Sequence, residues 1–557
     1  MNKFWTDNYP CGVAKEVTIP DTTIVDLVDN VCKDFTNCKS FTCNDVSLTF
    51  GDVGTLITNL ASSLYELGVR KGDKVAVIMP NIMQYPIIIF AILKLGAVVV
   101  NINPLYTPDE MEYIISNASV KMAIVLNMMA HKLNNIVKLY KLNVIVTKIP
   151  DPYPSFIKRG IINFVIEKIK KTKVDYSYQA IAFRKLLTNK APLVYNPNLV
   201  NTDLAFIQYT GATTGKPKGA MLSHRNIVAN ITQIHNWLAP QVGNLSGQVV
   251  IDALPLYHIF SLTANLFTFF FGGSENVMIP NPKDIHATVK VLKKSNFTVF
   301  SALDTLYNHL LSSEEFKSQR YPFFKYSVAG GMPARSSVAH EWYQVTGVMP
   351  SNCYGMTEAS PAVTMNTFDN SFDGSVGFPV PNTELEIRHV ETQELLPINT
   401  PGIIWVRGPQ VMSGYWDNPS QTEKVMDVHG WFNTGDIGYL NEKGKLFISG
   451  RSNDMIIVSG FNVYPVEVEN VLDTFTDIKE SAVIGVKDSG TGEKVVAFVV
   501  FEADKFMVES EIIHNLRQKL TSYKIPKEIV IMDKPLPKTL VGKIDKVALG
   551  KFYTTNH

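Results

Sequence analysis

This sequence predicts an α/β protein: a large N-terminal domain with doubly wound sheets plus a small β region, followed by a small α+β C-terminal domain. Three observations carry the prediction. Between residues 47 and 126, amphipathic helical patterns alternate with short apolar strands, which is the arrangement of a parallel sheet covered on both faces. From Asn382 the texture changes to short strands and turns. Beyond Arg451 a new α+β pattern begins, so 1–452 and 453–557 read as separate domains. With 557 residues and 46% hydrophobic content, the chain has material for more than one core.

Taken in order, Ile57, Leu60, Leu64 and Leu67 share a helical face. Lys71-Gly72-Asp73 is a turn, and Val75 to Met79 is a buried strand. The next unit repeats this, with a helix through Ile87 to Leu95, Gly96 as its stop and Ala97 to Val100 as a strand. Asn103-Pro104 marks a turn, Thr107-Pro108-Asp109 a helix start, and Met122 to Leu126 a further strand. No internal repeat of solenoid length is apparent. Residues 150 to 200 break the rhythm with prolines around one segment, 156–171. There Ile157, Ile161, Phe164, Val165 and Ile169 share a face, while Lys158, Arg159, Lys168, Lys170, Lys171 and Lys173 supply charge. Two readings stand: an amphipathic helix packed on its own domain, or one lying on an anionic membrane surface.

The stretch with the strongest chemistry runs from Tyr209 to Gly219. An apolar strand, Leu204 to Ile207, leads into Thr210, Gly211, Ala212, Thr213, Thr214, Gly215, Lys216, Pro217 and Lys218. Glycines let backbone amides approach an anion, and the hydroxyls and lysines add donors and positive charge, so the loop suits a polyphosphate. It is not a Walker loop. Counting from Gly211, Lys216 stands where that pattern needs glycine, and counting from Gly215 the same place is Ala220.

Further candidates follow. His258 enters the run Ile259 to Phe271. It reads first as a core histidine held by one hydrogen bond, and second as the polar gate of an apolar pocket. A second glycine turn, Gly330-Gly331, follows a strand. Asn352 to Glu358 gathers Tyr354, which can stack on a base, and Glu358, which can hold a magnesium ion bridging phosphates. Asp436, directly after a glycine, suits paired hydrogen bonds to ribose hydroxyls, with a solvated turn as the bland reading. Arg451 to Asp454 is the linker. Beyond it come strand Met455 to Val458, helix Val466 to Phe475, strands Ala482 to Val486 and Val495 to Phe501, and helix Glu509 to Leu520. Near the end, Lys543 follows a glycine on an expected exposed loop, where most lysines only solubilise.

A formal charge of +1 gives no global basic field, so nucleic acid is not an expected partner. Five cysteines without paired CxxC spacing argue for a reduced compartment and no structural zinc. The first residues lack an apolar core of signal-peptide length. The most apolar stretch, Ile87 to Leu93, is far short of the roughly 20 residues that span a bilayer. The expected location is cytoplasmic, with peripheral contact to the inner face of the cell membrane under the second reading of 156–171.

Together and in this order, these stretches resemble the adenylate-forming enzyme superfamily, which includes acyl-CoA synthetases. Gln84-Tyr-Pro, Val99 to Pro108, Leu254 to Phe260, Gly408 to Met412 and Val458 to Pro465 are similar to the long-chain fatty acid:CoA ligases within it. The resemblance covers nearly the whole chain. It implies ATP phosphates held by Thr210, Gly211, Ala212, Thr213, Thr214, Gly215 and Lys218; adenine against Gly330, Gly331 and Tyr354; ribose on Asp436; and Gly355 among the ATP-binding residues. Thr357 and Glu358 are implied near the α-phosphate and Mg2+, Arg451 near the ribose and phosphates, and Lys543 as the catalytic lysine. His258 and Phe260 would border the acyl channel, Gly460 the CoA path, and Asn453 would be the hinge. The implied reaction joins fatty acid, ATP and CoA in two steps, through an acyl-adenylate. A homodimer is compatible with this.

The sequence departs from the pattern at Ala212, where glycine is common, and at Asn453, where Asp or Lys is usual. The first matters if that residue needs positive φ. The second bears on the rate of domain turning. Two rivals follow: an acyl-adenylate ligase that delivers to a carrier protein, and a lipid-binding relative without catalysis. No insertion between Asp454 and Pro465 favours the first, and retention of Glu358, Asp436, Arg451 and Lys543 opposes the second.

Overall fold

The computed structural model describes residues 3–164, 176–210, 216–331, 334–459, 461–488, 491–539 and 543–556. The alternation read from residues 47 to 126 becomes one sheet of seven strands. In spatial order they are Ile181–Ala182, Asn143–Thr147, Met122–Leu126, Lys74–Ile78, Val98–Asn101, Leu204–Tyr209 and Gly219–Ser223. All pairs are parallel except the last, in which Gly219–Ser223 turns back along Leu204–Tyr209. Local signals set the boundaries. Thr107 accepts from the Glu110 amide and Glu110 returns the bond to the Thr107 amide, so the helix Pro108–Asn117 begins with a capping box.

A second sheet of nine strands has a parallel centre: Lys39–Cys43, Glu275–Met278, Val249–Asp252, Val299–Ala302, Tyr326–Ala329 and Pro350–Gly355. Antiparallel strands close it at both ends. The helix Gln84–Lys94 is apolar on all sides because both sides are covered, and its residues from Gln84 to Leu93 are buried. Phe90 stacks on Phe267 and Phe270 at 5.4 and 5.2 Å. The run after His258 is a π-helix, Phe260–Phe267, continued by an α-helical turn, Thr268–Phe271.

The β region is a four-stranded antiparallel sheet, Glu384–Arg388, Gly402–Arg407, Phe432–Leu440 and Leu446–Arg451. Past Ser452–Asp454 lies the small α+β unit. Its long hairpin Ile478–Asp488 with Gly492–Phe501 carries Ile456–Val458 on one side and Glu528–Ile531 in parallel. The helix expected from Val466 spans Pro465–Leu472, and the one expected from Glu509 ends at Arg517. Among the described residues no helix is long and apolar enough to cross a membrane.

This architecture decides where a ligand goes. In open parallel sheets the crevice lies outside the carboxyl ends of the strands. Asp252, Ala302, Ala329 and Gly355 end strands of the second sheet, and Tyr209 ends one of the first just before Thr210.

Candidate active site

The strand Leu204–Tyr209 leads to Thr210, whose amide donates to the Lys218 carbonyl at 2.9 Å. Gly211, Ala212, Thr213, Thr214 and Gly215 lie outside the described residues, as does Gly460. Lys216, an exposed residue, lies 5.1 Å over the Tyr113 ring, and Lys218 lies 4.8 Å over the Tyr415 ring, so each ammonium group faces an aromatic ring.

Tyr415 joins two parts of the site. Its segment clamps the returning strand, since the Trp416 amide donates to the Gly219 carbonyl and the Met221 amide to Gly414. Its hydroxyl donates to Glu358 Oε1 at 2.8 Å. Burial pushes the Glu358 carboxyl up, while the Tyr415 hydroxyl, Lys218 and Arg451 pull it back. Glu358 follows Thr357 in a short 3-10 turn, and the chain before it needs glycine at 355: a Cβ there would stand 2.1 Å from the Pro361 carbonyl oxygen. Sequence reasoning missed Tyr415, whose only signal is two aromatics after Gly414.

The ribose candidate is built across two strands. Asp436 and Arg451 are register partners in the antiparallel sheet, so the Arg451 Nε lies 3.3 Å from Asp436 Oδ1. Tyr354 donates its hydroxyl to Asp436 Oδ2 at 2.7 Å. Burial raises the Asp436 carboxyl, and Arg451, Tyr354 and Lys543 oppose the rise. The solvated-turn reading of Asp436 is corrected: the residue is a strand residue with a buried side chain and two protein partners. Gly330 presses on Phe260 and Cys353, because a Cβ would meet each at 2.8 Å, and Gly331 takes φ +77 just before the next loop.

Two expectations are overturned here. Lys543 is not on a freely exposed loop. It is partly buried, and burial together with nearby Arg451 lowers its pKa while Asp436 raises it. His258 is not a core histidine held by one hydrogen bond. Its Nε2 is buried without a partner, and burial with the nearby Lys543 pushes the ring down to about 4, so it is neutral at physiological pH. The small domain thus places Lys543 within electrostatic reach of Arg451, Asp436 and His258.

Behind the site runs a buried polar chain that sequence reasoning also missed. Tyr85 donates to Asn101, Asn101 to Gln208, and Gln208 to the Tyr257 carbonyl, at 2.7, 3.0 and 2.7 Å. Asn81 donates to the carbonyls of Asp252 and Leu254 and accepts from the Leu256 amide. These bonds fix the turn that presents His258, and unpaired they would each cost about 1–3 kcal/mol. Asn453, the hinge candidate, is exposed in the turn Ser452–Asp454, whose Ser452 hydroxyl donates to the Gly435 carbonyl.

Residues 28–416 match the family of AMP-binding enzymes, and residues 467–543 match the AMP-binding enzyme C-terminal domain. The chain belongs to the AMP-binding enzymes. A long-chain-fatty-acid–CoA ligase of Yersinia pestis is 41% identical to this AMP-binding enzyme, covering 98% of this chain and 97% of that one. A protein of the same description from Bacillus subtilis is 34% identical over 100% and 99% of the two chains. The crystal structure of ATP-bound MatB from Rhodopseudomonas palustris superposes with a TM-score of 0.80 at 27% identity, covering 96% of this chain and 99% of that one.

Proposed function

We propose that this AMP-binding enzyme is a long-chain fatty acid:CoA ligase that forms an acyl-adenylate and passes the acyl group to CoA. The observation that carries the reading is Lys543, brought from the small domain to Arg451 and Asp436, in a chain about 40% identical over nearly its whole length to relatives of that description. Asp436 is the ribose acceptor, Tyr354 and Gly330–Gly331 face the base, and Thr210 and Lys218 hold phosphate oxygens. The fatty carboxylate needs no general base. Its oxygen attacks the α-phosphorus, the bond to the β-phosphate oxygen breaks, and pyrophosphate leaves. Lys543 and Arg451 offset the charge that builds on the α-phosphate. In the second step the CoA sulfur attacks the acyl carbonyl and AMP departs. His258 and Phe260 border the acyl entrance, Gly460 lies on the CoA path, and Asn453 is the turning point between domain poses.

Mg2+ fits the residues present. Among the described residues no group of three or more His, Cys, Asp or Glu forms a cage, and Glu358 offers a single carboxylate whose Oε1 is steadied by Tyr415. One carboxylate plus substrate phosphates is how Mg2+ is commonly bound. When bound, the ion neutralises phosphate charge.

Incubation with ATP and oleate tests the reading. Without CoA, ATP–pyrophosphate exchange should depend on oleate; with CoA, oleoyl-CoA and AMP should accumulate. Exchange without thioester would favour the carrier-protein ligase, and neither would leave a lipid-binding relative.

The reading includes peripheral docking on anionic membrane. The helix Phe156–Phe164 buries none of its residues and exposes Phe156, Ile157, Ile161 and Phe164. That speaks against the packed-helix reading for this part, although Ile162 touches the core. Lys158 and Arg159 bond to backbone carbonyls nearby, so the expected charge rests on Lys168, Lys170, Lys171 and Lys173, which lie outside the described residues with Val165 and Ile169. Sedimentation with acidic vesicles should fall about tenfold or more in Phe156→Ser/Ile161→Ser, since a buried large apolar side chain contributes about 1.5–3 kcal/mol. It should also fall with added salt. Binding unchanged by either would rule out this helix as the anchor.

A further inference from the structure

The large domain carries a preset docking point for the small one. Arg335 follows the Gly330–Gly331 turn, and its guanidinium is fixed before it reaches across. Its amide donates to Asp304 Oδ1 at 3.0 Å and its Nε to Asp304 Oδ2 at 2.9 Å. Asp304 is buried at the start of the helix Asp304–Leu311, and Leu303, the residue before it, touches Gly331. Arg335 Nη1 then donates to the carbonyl of Lys479, in the small domain, at 2.9 Å. Asp473 of that domain faces the same guanidinium and is itself held by the Ser481 hydroxyl at 2.9 Å.

The contact leads directly to Lys543. Next to Lys479 stands Glu480, whose carboxylate grips the segment that carries the lysine: the Leu536 amide donates to Oε2 at 3.0 Å and Lys538 Nζ to Oε1 at 2.5 Å. The Thr539 amide donates to the Lys543 carbonyl at 2.7 Å and the Lys543 amide to Thr539 Oγ1 at 3.2 Å. His309, at the far end of the helix Asp304–Leu311, lies within electrostatic reach of Lys538 and Glu480.

We infer that Arg335, preset by Asp304, is a positioning residue that docks the small domain through Lys479 so that Lys543 reaches the nucleotide. It touches no reacting atom in this account, which rests on Lys543 serving the adenylation step. A guanidinium already held in a fork loses little freedom on accepting one more carbonyl, and a lysine there would lack both the fork and the reach. Because the contact acts through placement, its loss should cost rate in the step that needs Lys543, on the scale of an ångström-sized misplacement.

In the full-length enzyme, Arg335→Ala should lower oleate-dependent ATP–pyrophosphate exchange by about 10- to 100-fold, chiefly in kcat. Transfer from supplied oleoyl-adenylate to CoA should stay within about twofold, because that step does not use the docked pose of Lys543. Asp304→Asn, which keeps the shape and loses the charge, should show the same split more mildly, and Arg335→Lys should recover little. Exchange at the wild-type rate in Arg335→Ala would overturn the inference, as would equal loss of both steps in Arg335→Ala and Asp304→Asn, which marks a purely structural role. Lys543→Ala, run alongside, separates the two claims: if it leaves exchange intact, the role proposed for Lys543 fails; if it abolishes exchange while Arg335→Ala does not, only the docking claim fails.

Discussion

Lys543→Ala should lower acyl-adenylate formation by on the order of a hundredfold or more, the usual loss when a transition-state charge partner is removed. The structure gives the reason for expecting a large effect. Lys543 is partly buried within electrostatic reach of Arg451 and Asp436, where a charge is less screened than in open solvent and would act on the α-phosphate of the proposed nucleotide site. The same placement sets the pH dependence. Burial and Arg451 favour the neutral amine, so the proton is lost as pH rises through a value below the ordinary lysine value of about 10.4. Adenylation needs the ammonium, and its rate should therefore fall on the alkaline side earlier than a free lysine would allow. Lys543→Arg should move that limb upward even if its rate is lower. His258, held near 4, contributes no limb between pH 6 and 8.

Asp436→Ala has the second-largest expected effect, and it falls on ATP. The substitution removes the proposed ribose acceptor, takes the Asp436 carboxylate from the Tyr354 hydroxyl and removes the partner of Arg451. Hydrogen bonds to a charged group contribute about 1.5–3 kcal/mol each, so kcat/KM for ATP should fall by roughly a hundredfold. KM for CoA, measured at saturating ATP, should stay near wild type. Asp436→Asn should recover part of the loss, because it keeps an acceptor for Tyr354 without the charge. Normal kcat/KM for ATP in both variants would remove Asp436 from the nucleotide site.

Some of this was legible in the chain and some was not, for physical reasons. The helix Gln84–Lys94, the strand Met122–Leu126 and the start at Thr107 follow from patterns a few residues long, and they are where the periodicity and the capping residues put them. The strands Lys39–Cys43 and Val46–Thr49 carry too short a pattern to announce themselves; they exist because the edge of the second sheet receives them. In the site, Tyr354, Glu358, Asp436, Arg451 and Lys543 were readable as chemistry-bearing residues. Their meeting around one nucleotide came only from the resemblance, since Asp436 and Arg451 pair through strand register and Lys543 arrives from another domain. Tyr415 and Asn81 carry no motif at all. Their roles come from hydrogen bonds to residues distant in sequence, such as Glu358 and Leu254. For His258 only the core-histidine reading fails, because an isolated histidine ahead of an apolar run gives no sign that its ring Nε2 will lack a partner.

The central claim is that Lys543 serves adenylation and not thioester formation, and single-turnover transfer from supplied oleoyl-adenylate to CoA in Lys543→Ala tests it most directly. In that step the acyl carbon–oxygen bond breaks and AMP leaves with the electron pair, and on this account the small domain has by then turned about Asn453 and carried Lys543 away from that phosphate. The account predicts transfer close to the wild-type rate in a variant whose adenylation is crippled. Transfer slowed as severely as adenylation would contradict it, and would make Lys543 either a structural residue or one that serves both steps.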